Sequence, residues 1–165
     1  MTGSCQGVCP HSVAAAIATC VKMRETEGVL WSEDIAAVNS AVEHILPVSP
    51  VAALAYCEGV VNIVWYSESD EQNRITAGVA TVERVLLAMT SHVEDVDVQF
   101  KGAYALAGLA IGSPVNAAGM MALGAADVLF VSADTHLESG PVQDMVSEVL
   151  LAISQEGSAS CLSGR

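Results

Sequence analysis

The chain has 165 residues, of which 52% are hydrophobic and 15% charged, and its formal net charge is -13 at pH 7. This length supports a single domain whose core needs no disulfide or metal to hold it together. The 6 Lys and Arg residues are scattered among 19 carboxylates. Nucleic acid and membranes are therefore not expected as partners, because nucleic acid and anionic lipid are both bound by clustered cations.

The first 30 residues contain one cluster of metal-ligand residue types, Cys5, Cys9 and His11. Its spacing lacks the paired Cys-x-x-Cys arms of structural zinc sites, so we expect a tail with reduced thiols. A capping helix is predicted over residues 12–23. The N-terminus has no basic region followed by an apolar stretch, which predicts a cytoplasmic protein, with the nucleus as an alternative.

A repeat with a period of 44 residues is the clearest signal in the rest of the chain. His92 and His136 are separated by this distance, as are Gln99 and Gln143, and a degraded earlier copy contains His44. Equivalent residues of stacked units lie about 10 Å apart, so we expect structural histidines and no shared metal. The repeat predicts three units and a short tail, over residues 31–73, 74–116, 117–160 and 161–165.

Within each unit the apolar residues follow helical spacing. In the second unit they recur at Val98, Ala103, Leu106, Leu109 and Ala110, and in the third at Met145, Val149, Leu150 and Ile153. Shorter helices are predicted over residues 82–89, 117–123 and 126–133. The pattern favours an all-α fold, a right-handed α-solenoid of about three repeats. Short β-branched patches leave an α/β fold as the alternative, at residues 60–66, 93–98 and 128–131.

Residues 102–126 carry no charge and are long enough to span a bilayer. Gly112, Ser113 and Pro114 interrupt this stretch in the order of a helix stop, an N-cap and a first helical position. The stretch also lacks flanking basic residues. We therefore expect two separate helices rather than a membrane span.

Several motifs together resemble the armadillo repeat family. They are the stretch VQFKGAYALAGLA at residues 98–110, Asn116, Gly124-Ala125, His136, Val142-Gln143, and the sequence AMTSH at residues 88–92. The variant with an alanine-methionine pair before the His is similar to the armadillo regions of leucine-rich-repeat kinases and of protist armadillo proteins. The resemblance covers residues 50–155 and implies units of a short helix, a second helix and a long third helix.

The resemblance implies partner binding along a concave groove lined by the third helices. The family's Asn-ladder position falls on Asn62, Gly108 and Ala152, and its Trp position on Val61, Ala107 and Leu151; Gln99 completes the predicted partner-binding set. Two of the three ladder positions are not Asn, so binding of basic nuclear-localisation peptides is not expected.

A groove of small and apolar residues beside acidic loops instead predicts a protein or peptide partner, an amphipathic helix with basic residues at its edges. The predicted function is a non-catalytic protein-interaction scaffold, without cofactor, metal or catalytic residues. One alternative is a small intracellular metal-binding or thiol-dependent enzyme that uses Cys5, Cys9 and His11. Another is that the chain forms part of a larger repeat array.

Overall fold

The computed structural model describes residues 32–66 and 70–162, and these residues form helices and turns without a strand. The seven helices in these ranges are α1 (Ser32–Val42), α2 (Pro50–Trp65), α3 (Asp70–Ser91), α4 (Val96–Ala110), α5 (Pro114–Ala122), α6 (Ala125–Thr135) and α7 (Gly140–Leu162). The all-α prediction is confirmed for this part of the chain, and the α/β alternative is wrong there. The β-branched patches lie in α2, in α6 and across the turn into α4, because tertiary packing overrides weak strand propensity.

Side-chain caps set where several helices begin. The Ser49 hydroxyl accepts a hydrogen bond from the amide of Ala52 at 3.2 Å, and the Asp95 carboxylate accepts from Asp97 and Val98. Ser113 caps α5 by accepting from the amide of Asn116, and a proline follows it at the first helical position. The predicted helix stop and start at residues 112–116 is therefore confirmed.

Two glycines in the left-handed region mark where a short helix meets the next one. Gly78 has φ 62° and kinks α3, and Gly124 has φ 72° between α5 and α6. The axes of α5 and α6 differ in direction by 73°. Glycine adopts this backbone conformation at little cost, so a glycine at each of these two positions permits the change in helix direction.

The long helices pack side by side, with α4 between α2 and α7. The helices α3 and α6 lie behind them, and α3 also contacts α1. Leu106 and Leu109 of α4 are completely buried at the centre of one continuous core. The equivalent Leu150 of α7 is only partly buried against that core, while Ile153 is buried.

The 44-residue spacing reappears as repeated hydrogen bonds. The Gln99 amide donates to the carbonyls of Met89 and His92 at 2.8 and 2.9 Å, and the Gln143 amide donates to those of Ala133 and His136 at 2.8 and 3.1 Å. The histidines behave alike: Nε2 of His92 donates to Leu46 O at 2.6 Å, and Nε2 of His136 to Val93 O at 2.7 Å. A carbonyl only accepts, so Nε2 carries the hydrogen in both rings. Both histidines have the structural role that the repeat predicts.

The basic residues of the described ranges all lie between residues 74 and 101, and they reach back toward α1 and α2. Arg84 pairs with Glu43 at 3.1 Å and Lys101 with Glu58 at 3.9 Å. Nε of Arg74 donates to Val64 O at 3.2 Å. Cations therefore join the middle of the molecule to its first two helices.

A buried polar network makes a second connection at the same junction. The Tyr56 hydroxyl donates to the Asn39 side-chain oxygen at 2.6 Å, and the Asn39 amide donates to the Thr81 hydroxyl at 3.2 Å. The three residues come from α2, α1 and α3 and are buried. Satisfied buried hydrogen bonds of this kind favour one relative placement of the helices.

No single helix of the described ranges is both long and apolar enough to cross a membrane, although the bent pair α5 and α6 passes that test by length and composition.

Candidate partner-binding surface

The structure buries most of the residues predicted to bind a partner. Val61, Gln99, Ala107, Gly108 and Ala152 are buried, Asn62 is half-buried, and Leu151 is exposed. The amide of Gln99 is engaged by two main-chain carbonyls. The predicted set is therefore not one open groove, because five of its seven side chains lie inside the helix packing.

Gly108 shows why the predicted partner-binding residues do not form an open surface. A Cβ at this position would collide with Val64 Cγ2 and would lie 2.5 Å from the indole nitrogen of Trp65. Gly108 is thus a point where α4 closely approaches α2, and it is not an open surface on which a partner could bind. The structure does not leave this position open to a partner, and the small side chain serves helix packing instead.

The open side of the long helices lies at a different register. The residues that precede α2, α4 and α7 are Ser49, Asp95 and Ser139. The carbonyl of each accepts a hydrogen bond of 3.0 Å from the amide of the residue four positions later. Nine residues after each of them stand Glu58, Tyr104 and Glu148, which are half-buried or exposed. We call the surface around this row the third-helix face; it comprises Glu58, Asn62, Trp65, Lys101, Tyr104 and Glu148.

Aromatic rings form the centre of the third-helix face. The rings of Trp65 and Tyr104 lie 5.2 Å apart, and the indole N–H donates to the carbonyl of Tyr104 at 3.1 Å. Phe100 stacks on Tyr104 at 6.1 Å, and the hydroxyls of Tyr66 and Tyr104 are hydrogen-bonded at 3.3 Å. Partly exposed aromatic rings of this kind supply large contact area with little loss of side-chain entropy.

Charges surround these rings. The Arg74 guanidinium lies 5.9 Å from the Trp65 ring centroid, and the Lys101 ammonium lies 5.8 Å from that of Phe100. The hydrogen bond to Tyr66, followed by burial and the nearby carboxylate of Glu148, raises the pKa of Tyr104 to about 12. Tyr104 is therefore a neutral hydroxyl at physiological pH, able to donate or accept a hydrogen bond.

Sequence reasoning missed the row of Glu58, Tyr104 and Glu148. The signal was available: Tyr104 is an aromatic residue inside an otherwise small-residue helix, and a core position in such a helix would not need its hydroxyl. The resemblance to armadillo repeats directed attention to positions three and four residues further along α4. Those positions, Ala107 and Gly108, are buried.

A cavity of about 290 Å³ lies between α3, α4 and α6, beside the loop that follows α3. It is lined by Met89, Thr90, Val93, Gln99, Asp127, Val128 and Val131. The Val93 carbonyl beside it accepts the hydrogen bond from His136. The cavity marks imperfect packing between two successive parts of the fold.

The part of the chain that the structure describes contains no group of three or more His, Cys, Asp or Glu side chains placed to hold a metal ion. The alternative site at Cys5, Cys9 and His11, and the capping helix predicted over residues 12–23, lie outside the described residues. No family model, no curated protein sequence and no solved structure matches the chain.

Proposed function

We propose that this protein is a non-catalytic scaffold, a solenoid of three armadillo-like units that binds a basic peptide or helix along the third-helix face. The observation that supports it most directly is the aromatic cluster of Trp65, Phe100 and Tyr104, which stands partly exposed between carboxylates. Exposed aromatic rings flanked by charge are typical of the central residues of protein interfaces.

The repeated contacts support the solenoid part of the proposal. Gln99 and Gln143 hold equivalent carbonyls, and His92 and His136 each reach back to an earlier carbonyl. Units that make the same contact with their predecessor stack in one direction, which is how α-solenoids grow. The short α5 followed by α6 and α7 also follows the three-helix order of an armadillo unit.

Charge supports a basic partner. Arg74 and Lys101 lie beside the rings of Trp65 and Phe100, and Lys101 pairs with Glu58. Glu148 lies near Tyr104 without a cation of this kind, and the whole chain carries a net charge of -13. Carboxylates around a binding surface attract basic partners and mainly accelerate their association. Raising the salt concentration should therefore slow association more than it speeds dissociation.

A displayed library of random 15-residue peptides selected on the full chain tests the proposal. The enriched peptides should combine Lys or Arg with apolar anchors. Tyr104→Ala should weaken their affinity by about tenfold or more, the loss typical of a central aromatic residue. Val115→Ser is the control, because Val115 is also an exposed apolar residue but lies on α5, outside the third-helix face.

Two results would contradict the proposal. One is a selection that enriches no basic peptides. The other is an affinity that Tyr104→Ala leaves unchanged while the variant keeps the circular-dichroism spectrum of the parent.

A further inference from the structure

A second surface is revealed when equivalent residues of the two best repeats are compared. Leu86, Val93 and Ala107 belong to the middle unit, and residues 44 positions later are Phe130, Leu137 and Leu151. Leu86 is 6% and Ala107 0% exposed and Val93 is half-buried, whereas Phe130 is 57%, Leu137 70% and Leu151 56% exposed. Positions that are covered in one unit therefore carry large, uncovered apolar side chains in the next.

The cover over the middle unit is visible in the structure. The helices α6 and α7 pack against α3 and α4, and His136 donates to the Val93 carbonyl. Val128 and Val131 of α6 face Met89 and Val93 across the small cavity. Within this molecule, a pair of helices, α6 and α7, therefore covers the equivalent surface of the middle unit.

Charge disfavours one occupant, a second copy of the chain that docks through residues 32–66 or 102–164. Residues 102–164 contain no Lys or Arg but include Asp127, Asp134, Glu138, Asp144, Glu148 and Glu156. Residues 32–66 likewise contain no Lys or Arg. A contact between copies through these two stretches would bring carboxylates against carboxylates, which disfavours association.

The ion pair between α2 and α4 indicates which charge a helix docked on α7 should carry. Lys101 of α4 pairs with Glu58 of α2 at 3.9 Å. Glu148 stands in α7 at the position of Glu58 in α2, each nine residues after the residue that precedes its helix. A helix that covered α7 as α4 covers α2 would bring a cation to Glu148.

We propose that the surface formed by Phe130, Leu137 and Leu151, the α6–α7 face, docks an amphipathic helix of a separate protein that carries an aliphatic stripe with Lys or Arg at its edges. The aliphatic side chains cover the three apolar residues. The basic side chains meet Glu148 and the exposed carboxylates of Asp134 and Glu138. The α6–α7 face shares Glu148 with the third-helix face, but Phe130, Leu137 and Leu151 lie outside the third-helix face, so variants at these three positions separate the two proposals.

The test uses the full chain and two synthetic 20-residue helical peptides with the same leucine stripe, one edged with Lys and one with Glu. Fluorescence anisotropy should show that only the Lys-edged peptide binds. Phe130→Ser and Leu137→Ser should each weaken its affinity by about tenfold or more. Val115→Ser, which truncates a 73% exposed valine on α5, should leave the affinity within about twofold of the parent.

Glu148→Gln should also weaken binding and make it less sensitive to salt, which a purely apolar contact would not do. Circular dichroism and the thermal midpoint verify that each variant is folded. The proposal is overturned if Phe130→Ser and Leu137→Ser both leave affinity unchanged, or if both peptides bind equally. It is also overturned if the parent is a dimer that Phe130→Ser makes monomeric, or if the parent floats with phosphatidylcholine vesicles and Phe130→Ser does not.

Discussion

At the scale of single residues, the clearest anomaly is a buried hydroxyl without a partner. Ser132 is 0% exposed, and its Oγ is the one buried side-chain polar atom in the described ranges that makes no hydrogen bond. The residue 44 positions earlier is Ala88, which is also fully buried. An apolar side chain therefore fills the equivalent buried position 44 residues earlier.

Exchanging these two residues measures the cost of the hydroxyl. Ser132→Ala should raise the free energy of unfolding by about 1 kcal/mol or more, since it removes a desolvated hydroxyl that forms no hydrogen bond. The reciprocal Ala88→Ser should lower it by a similar amount. Urea denaturation measures both. A loss of stability in Ser132→Ala would mean that the hydroxyl has a partner in solution.

Tyr104 gives a prediction about pH. Its pKa is raised from 10.0 to about 12, chiefly by the hydrogen bond to Tyr66. A raised pKa of an acid favours its neutral form in the fold, so this contribution to stability is complete below about pH 10 and is lost as the pH rises through about 12. The tyrosinate absorbance that disappears in Tyr104→Phe should titrate near pH 12.

In Tyr66→Phe the same absorbance should appear at lower pH, because the largest cause of the shift is removed. If its midpoint does not move, the hydroxyl pair does not form in solution. Denaturation of the single variants at neutral pH serves as the control for a general loss of structure.

At the scale of helices, glycine determines how closely α4 approaches its neighbours. A Cβ at Gly102 would lie 2.5 Å from Met89 Cγ, and a Cβ at Gly108 would collide with Val64. Both glycines are buried in α4. A helix made mostly of Gly, Ala and Leu can therefore pack closely on two sides at once, against α3 at Gly102 and against α2 at Gly108.

Gly108→Ala should lower the free energy of unfolding by about 1 to 3 kcal/mol, the cost of overpacking. Helix propensity alone would raise it by about 0.5 to 1 kcal/mol, so the sign separates packing from propensity. Gly140→Ala is the matched control, because no heavy atom lies within 4 Å of the added Cβ. Thermal denaturation of both variants tests this. Equal stability of the two would show that α2 and α4 are not in close contact.

At the scale of the whole molecule, charge is distributed unevenly along the chain. Arg74, Arg84 and Lys101 all contact residues of the first two helices or their neighbours, whereas no Lys or Arg occurs between residues 102 and 164. The first junction is therefore joined by ion pairs and a buried polar network. The second junction combines apolar packing with the hydrogen bond of His136 and one from the Gly112 amide to Glu156.

The sequence alone determined the helical class, the helix boundary at residues 112–116 and the 44-residue spacing. These follow from local chemistry: apolar residues recur at helical spacing, Ser and Pro begin α5, and glycines permit the left-handed breaks. The core positions Leu106 and Leu109 were predictable for the same reason, because they lie on the apolar stripe of α4.

Only the tertiary structure decided which side of α4 is open. Periodicity shows which residues share a helix face, but it does not show how many neighbouring helices cover that face. Ala107 and Gly108 were expected to be open because they are small, yet small residues are also what allows Val64 and Trp65 to pack closely against α4. Tyr104 remains accessible because it lies on the side of α4 between the two sides that α2 and α7 cover.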